Sequence, residues 1–144
     1  MRLSIHEVLE KAATAKTRKE KIEVLQANKT TTLLNILKLA YSKSYKWDLP
    51  EGDPPLARQD RTMPLGVSDS NMFTQMRTMY IYDAAFTKVP RARKETLFIN
   101  LLEGLHYTES DMLLSIKNHT FTKRYPGITA AVVREAFPQD NIIE

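Results

Sequence analysis

Basic side chains gather at four places where helices should begin or end. Lys16, Arg18 and Lys19 surround one such point, and Lys43 and Lys46 follow another with Tyr45 and Trp47 between them. Arg91, Arg93 and Lys94 open a third segment, and Lys123 and Arg124 stand just before Gly127 and Thr129. These residue types suit phosphate binding. Free N–H groups at a helix start, a threonine hydroxyl and a nearby lysine or arginine together satisfy phosphate oxygens, and glycine lets the backbone come close. A solvated loop is the plain reading of any one cluster, and the recurrence of four strengthens the phosphate reading. The candidate phosphate contacts are thus Lys16, Arg18, Lys19, Lys43, Lys46, Arg91, Arg93, Lys123, Arg124, Gly127 and Thr129.

Other chemistry finds less support. The three histidines, His6, His106 and His119, lie far apart, and none pairs with a second ligand at helical spacing, so no metal site is expected. His6 reads as a solvated surface residue, and His106 and His119 as helix-end residues bonded to backbone carbonyls. Neither a G-x-x-x-x-G-K loop nor G-x-G-x-x-G is present, so no nucleotide cofactor is expected. Glu7 with Glu10, and Glu20 with Glu23, have the spacing of an acid/base pair, but lysines flank both and the solvated helix face is the better account. No serine stands in a nucleophile elbow. The expectation is a protein that is not an enzyme.

Charge placement agrees with an anionic partner. The net charge is +4, yet residues 1 to 48 hold ten Lys/Arg against five Asp/Glu, while residues 129 to 144 hold one against three. Such asymmetry fits nucleic acid. The absence of cysteine removes disulfides and thiolate chemistry and fits a reducing cytosol. No stretch approaches the roughly 18 apolar residues of a membrane span, so a cytoplasmic protein without membrane contact is expected.

The elements that must position these residues are all helical. A chain of 144 residues with 42% hydrophobic residues suits one domain with one core. Ser4 with Glu7 forms a capping box ahead of Ile5, Val8, Leu9 and Ala12, predicting a helix over 5–15. Thr17 with Glu20 starts a second over 18–27, ended by a left-handed Asn28. Leu33, Ile36, Leu37, Ala40 and Tyr41 form a stripe over 32–42. Four prolines between Lys43 and Val67 make that segment a long loop. Met72, Met76, Met79 and Tyr80 predict a helix over 69–86. Pro90 opens one over 91–104, Thr108 with Asp111 caps one over 109–118, and Val132, Val133 and Ala136 mark a last one stopped at Phe137 by Pro138. The expectation is an all-α single domain, residues 1–144, a bundle of about seven short helices with one Pro-rich loop.

Two resemblances attach to these segments. The stretch RKETLFINLLEGLHYTESDMLLSI from Arg93, followed by PGITAAVVREAFP, resembles a family of small tailed-phage proteins, cyanophage ones above all. The order of elements also resembles the N-terminal DNA-binding domain of phage ATP-dependent DNA ligases. It has a short first helix, then TRKEKIEVLQANK, a leucine-rich helix ending in AYSK, a Pro-rich loop and a final GITAAVVREAFP. That resemblance implies a helical grip on duplex DNA across the minor groove, with Gly127 and Thr129 opening the last helix and Phe137-Pro138 ending it. No counterpart of the catalytic part is expected. The nearest string to the adenylate-accepting K-x-D-G is Lys46-Trp47-Asp48-Leu49, which lacks the glycine.

The expectation is therefore a phage accessory protein that binds duplex DNA through its backbone in the cytoplasm of an infected host. The alternative is a helical adaptor for a phage or host replication, transcription or virion protein. Its docking element would be the Pro-rich loop, with acidic Glu51, Asp53 and Asp60, or the apolar tail Asn141-Ile142-Ile143-Glu144.

Overall fold

The computed structural model describes residues 3–54, 64 and 70–143. Among them the fold is all-α: α1 (Ile5–Thr14), α2 (Arg18–Ala27), α3 (Thr31–Tyr41), α4 (Met72–Gln75), a 3-10 helix (Met76–Tyr82), α5 (Arg91–Gly104), α6 (Tyr107–Lys117), α7 (Phe121–Arg124) and α8 (Ala130–Ala136). No described helix is long and apolar enough to cross a membrane. Asp60 of the Pro-rich loop and Glu144 lie outside the described residues.

Local signals account for most helix starts. Ser4 and Glu7 bond reciprocally, and Thr17, Thr30 and Thr129 each accept the N–H three residues on, so orphan donors of α1, α2, α3 and α8 are satisfied. Asn28 ends α2 by another route than expected. Its φ is −112°, not left-handed, and its side chain donates to the Val24 carbonyl.

Helix α6 is the centre of the fold. It packs against α1, α3, α5 and α7, and nine of its eleven residues are buried, which explains its weak amphipathic pattern. Its buried hydroxyls stay paired: Ser110 Oγ donates to the Leu102 carbonyl and Ser115 Oγ to the Met112 carbonyl, both at 2.6 Å. The start also differs from expectation. His106, not Thr108, is the N-cap, its Nδ1 accepting from the Thr108 N–H at 3.3 Å. The ring nitrogen takes the place of the side-chain oxygen that Ser, Thr, Asp or Asn supplies at most helix starts.

Two helices depart from the periodicity of the sequence. The single helix expected over 69–86 is α4 followed by the 3-10 helix, in which Met79 and Tyr82 are buried and Tyr80 is 58% exposed. Residues three apart eclipse in a 3-10 helix, so the inward pair is Met79 and Tyr82, and Tyr80 falls outside. Beyond it the chain turns extended to pair with the loop after α3. The Asp48 N–H donates to the Tyr82 carbonyl and the Ala84 N–H to the Lys46 carbonyl, around an isolated Trp47–Asp83 bridge. Helix α7 is a single turn, too short to carry a periodic signal. The apolar tail is partly committed to the fold itself, since Ile142 is buried and Ile143 packs on the core.

Glu109 ties α6 to the start of α4, accepting the Met72 N–H at 2.7 Å. Burial pushes its carboxyl up to about 6, against the lowering effect of that hydrogen bond. A raised acid pKa means the folded state holds the proton more tightly than the unfolded chain between about 4.5 and 6. This group's contribution to stability therefore falls as pH rises through that window, by about 2 kcal/mol. His6, lowered by burial, acts with the opposite sign near that range, so the parent alone does not isolate the effect. The difference in urea stability between the parent and Glu109→Gln should decline by that amount between pH 4.5 and 6.5. Parallel pH curves for the two proteins would contradict it.

Candidate nucleic-acid interface

The α1–α2 turn and the loop between α7 and α8, from opposite ends of the chain, meet at one corner. Lys21 makes the joint. Its Nζ donates to the carbonyls of Ala12, Ala13 and Ala15 at 3.3, 2.9 and 2.7 Å, capping the C-terminus of α1. Gly127, at φ +87°, lies against it, and a Cβ there would sit 2.8 Å from Lys21 Cε. The space beside Gly127 is thus taken by Lys21 and is not open to a phosphate, so this glycine serves the close packing of Lys21 instead of the expected approach to a ligand. The Tyr41 hydroxyl donates to the Ile128 carbonyl and pins the same loop to α3.

The basic residues of this corner differ in freedom. Lys16, Lys19 and Lys123 are exposed. Arg18 is exposed too but pairs with Glu135, with Nε and Nη2 both 2.7 Å from Oε2. Arg124 lies over the Tyr125 ring, its Nε donating to the hydroxyl at 3.3 Å and Nη2 standing 4.0 Å from Asp111. Thr129 accepts the Val132 N–H as the cap of α8, which leaves its own O–H to donate.

His6 is not the solvated residue expected. It is 9% exposed, with Nδ1 2.8 Å from the Tyr125 hydroxyl and Nε2 3.0 Å from Glu10. Burial holds its pKa below the ordinary imidazole value, and burial pushes the Tyr125 hydroxyl up to about 12. The ring lies on the inward side of α1, where it joins α1 to the end of α7 instead of facing water.

The second and third clusters meet elsewhere. Lys46 and Arg91 line a cleft of about 680 Å³ between the loop after α3 and the end of α6, together with Lys117 and His119. Lys43 is exposed close by in sequence, beside Ser42 of the cleft wall. Arg93 is exposed on α5 but is not part of this wall, as expected for residues two apart on a helix. Pro90 offers α5 no side-chain cap, and its first turn holds no acid. Sequence reasoning missed Lys117, which reads as one more position on the polar side of α6.

Lys94 leaves the basic surface altogether. Only 1% exposed, its ammonium donates to Asp48 Oδ2 at 2.8 Å and to the carbonyls of Asp83 and Phe86 at 3.0 and 2.6 Å. Those three acceptors use all of its donors.

Among the described residues no three acidic or histidine side chains converge as metal ligands. No curated protein and no solved structure matches the chain. A family model does match, over residues 8–123, which run from α1 into α7, and the chain belongs to that family of unknown function, DUF6433.

Proposed function

We propose that this protein is a non-enzymatic phage accessory protein that grips duplex DNA through its phosphate backbone, with little base specificity. The observation that carries the reading is the joining of two basic clusters from opposite ends of the chain. Lys21 packs beneath Gly127 and Arg18 reaches Glu135, so Lys16 and Lys19 share one corner of the molecule with the loop that follows Lys123. A surface built this way offers several cations at once, and phosphate contacts gain from such multiplicity. The resemblance of the sequence's element order to that of the ligase DNA-binding domain supports the same reading. The non-enzymatic part of the reading is supported by the string Lys46-Trp47-Asp48-Leu49, which lacks the glycine of K-x-D-G and whose aspartate is engaged with Lys94.

Replacing Lys123 and Arg124 together by alanine tests the corner. Affinity should fall by a similar factor on unrelated duplex sequences, because phosphate contacts carry no base information. The slope of log affinity against log salt should shrink by about one to two units, since each phosphate neutralised by the protein adds about 0.9 to it. Since Arg124 also holds Tyr125, Lys123→Ala alone is the cleaner arm, with a reduction of about one unit. Unchanged affinity and slope would remove this loop from the interface. No duplex binding by the parent at low salt would favour the adaptor reading, with a replication, transcription or virion protein as partner.

A further inference from the structure

The cleft at the end of α6 differs from the α1–α2 corner in shape and in lining. We propose that it is a binding site for a nucleotide carrying a terminal phosphate, with Lys46, Arg91 and Lys117 around the phosphate and the Tyr45–Trp47 wall along the base. Size speaks first. At about 680 Å³ it has the volume of a small-molecule site, several times what a bare phosphate fills. Charge speaks second, since three cations line the cleft against one carboxylate, Glu51.

The cations are held in place. Lys117 is 7% exposed, and its Nζ donates to the Gly52 carbonyl at 2.9 Å and to Asn118 Oδ1 at 3.4 Å. An ammonium has three donors, so one is left for a ligand. Asn118 in turn donates to Asp53 at 2.8 Å, fastening the loop that forms the far wall. Arg91 stands 3.9 Å from Asp48, a carboxylate already committed to Lys94 at 2.8 Å. The Lys46 ammonium has no hydrogen-bond or ion-pair partner among the described residues. Trp47 and Tyr45 meet edge to face at 5.1 Å, and Trp47 packs likewise on Phe98, so the aromatic wall is rigid.

His119 adds an independent sign. It closes α6 in the left-handed conformation, φ +59°, its N–H donating to the Ile116 carbonyl while the Thr120 N–H donates to that of Ser115. That is the helix end at which glycine is least costly. The fold instead holds an imidazole there, on the cleft wall, with no hydrogen-bond partner for its ring among the described residues. A conformational cost carried at a cleft points to use of the side chain.

Trp47 is the single tryptophan, so its fluorescence reports on this wall directly. In the full chain, AMP or a 5′-phosphorylated oligodeoxynucleotide should quench it saturably with Kd below about 1 mM. AMP alone doing so would name a free mononucleotide as the ligand, the oligonucleotide alone a strand end. Adenosine and inorganic phosphate should each bind at least about tenfold more weakly, as each engages half the site. Lys46→Ala and Arg91→Ala, both exposed positions, should each weaken binding about tenfold with helical content unchanged. His119→Gly should weaken AMP binding while the melting temperature holds or rises, and unchanged affinity there would remove His119 from the site. The Lys16→Ala/Lys19→Ala variant should bind AMP like the parent whatever it does to duplex binding, which separates this site from the backbone grip. No saturable quenching by either probe, phosphate binding as tight as AMP binding, or unchanged affinity in both Lys46→Ala and Arg91→Ala would overturn the proposal.

Discussion

Replacing Lys94 by alanine should cost about 3–5 kcal/mol of stability, the range for breaking a buried charge pair by removing one partner. The side chain is 1% exposed and joins three segments: Asp48 in the loop after α3, the Asp83 carbonyl beyond the 3-10 helix, and the Phe86 carbonyl before α5. Without the ammonium, the Phe86 carbonyl loses its donor, Asp48 keeps only Arg91 at 3.9 Å and the Asp83 carbonyl only the Phe86 N–H at 2.9 Å among the described residues, and removal of the stem leaves a void. The cost reflects those stranded groups more than any net gain from the intact pair, since desolvating the charges offsets much of their attraction. At about 2–4 °C per kcal/mol for a chain of this size, the thermal midpoint should fall by about 10 °C. Lys94→Met, which restores the stem and not the charge, should recover the part due to the void. A midpoint for Lys94→Ala within about 2 °C of the parent would contradict this account of the loop's attachment.

Lys94 also shows where sequence reasoning stops. In the chain it stands one residue from Arg93 and reads as part of the same cluster. Which of three neighbouring cations turns inward depends on whether a tertiary carboxylate waits there, and Asp48 lies 46 residues away. His6 fails for a related reason. Its partner Tyr125 comes from the far end of the chain, so nothing local distinguishes a buried imidazole from an exposed one. What was legible depended on short-range chemistry. The Ser4 and Thr17 caps, the start of α5 after Pro90 and the stop before Pro138 follow from neighbours within four residues. The 3-10 turn was not legible, because methionines spaced four and three apart suit both helix types until Tyr82 is seen to be buried.

The site was half legible in the same sense. All four clusters were visible as residue types, but their pairing into a corner and a cleft was not, because it depends on Lys21 packing against Gly127 and on Lys117 bonding the Gly52 carbonyl in the cleft wall, both contacts between segments far apart in the chain. Neither packing on a distant glycine nor a carbonyl acceptor leaves a mark in a sequence.

A variant with Lys16, Arg18, Lys19, Lys123 and Arg124 all changed to alanine should bind duplex DNA about a hundredfold more weakly or worse at moderate salt. Several phosphates go without a cation at once, and each such change weakens affinity and salt response together. Lys16, Arg18, Lys19 and Lys123 are exposed, and Arg124 is half-covered by Tyr125 and Asp111 at the surface, so the helical spectrum should be kept. Glu135→Gln should move affinity the other way, since it releases Arg18 from its pair and removes a negative charge from the corner. A quintuple variant that binds like the parent would leave the corner without a role in binding.

The most direct test is a titration of the parent protein against several unrelated duplexes at about 50 and about 200 mM salt. Backbone binding predicts a slope of log affinity on log salt of about −3 to −5, the same for every sequence. Binding that is absent at the lower salt, or that does not weaken between the two, would contradict it.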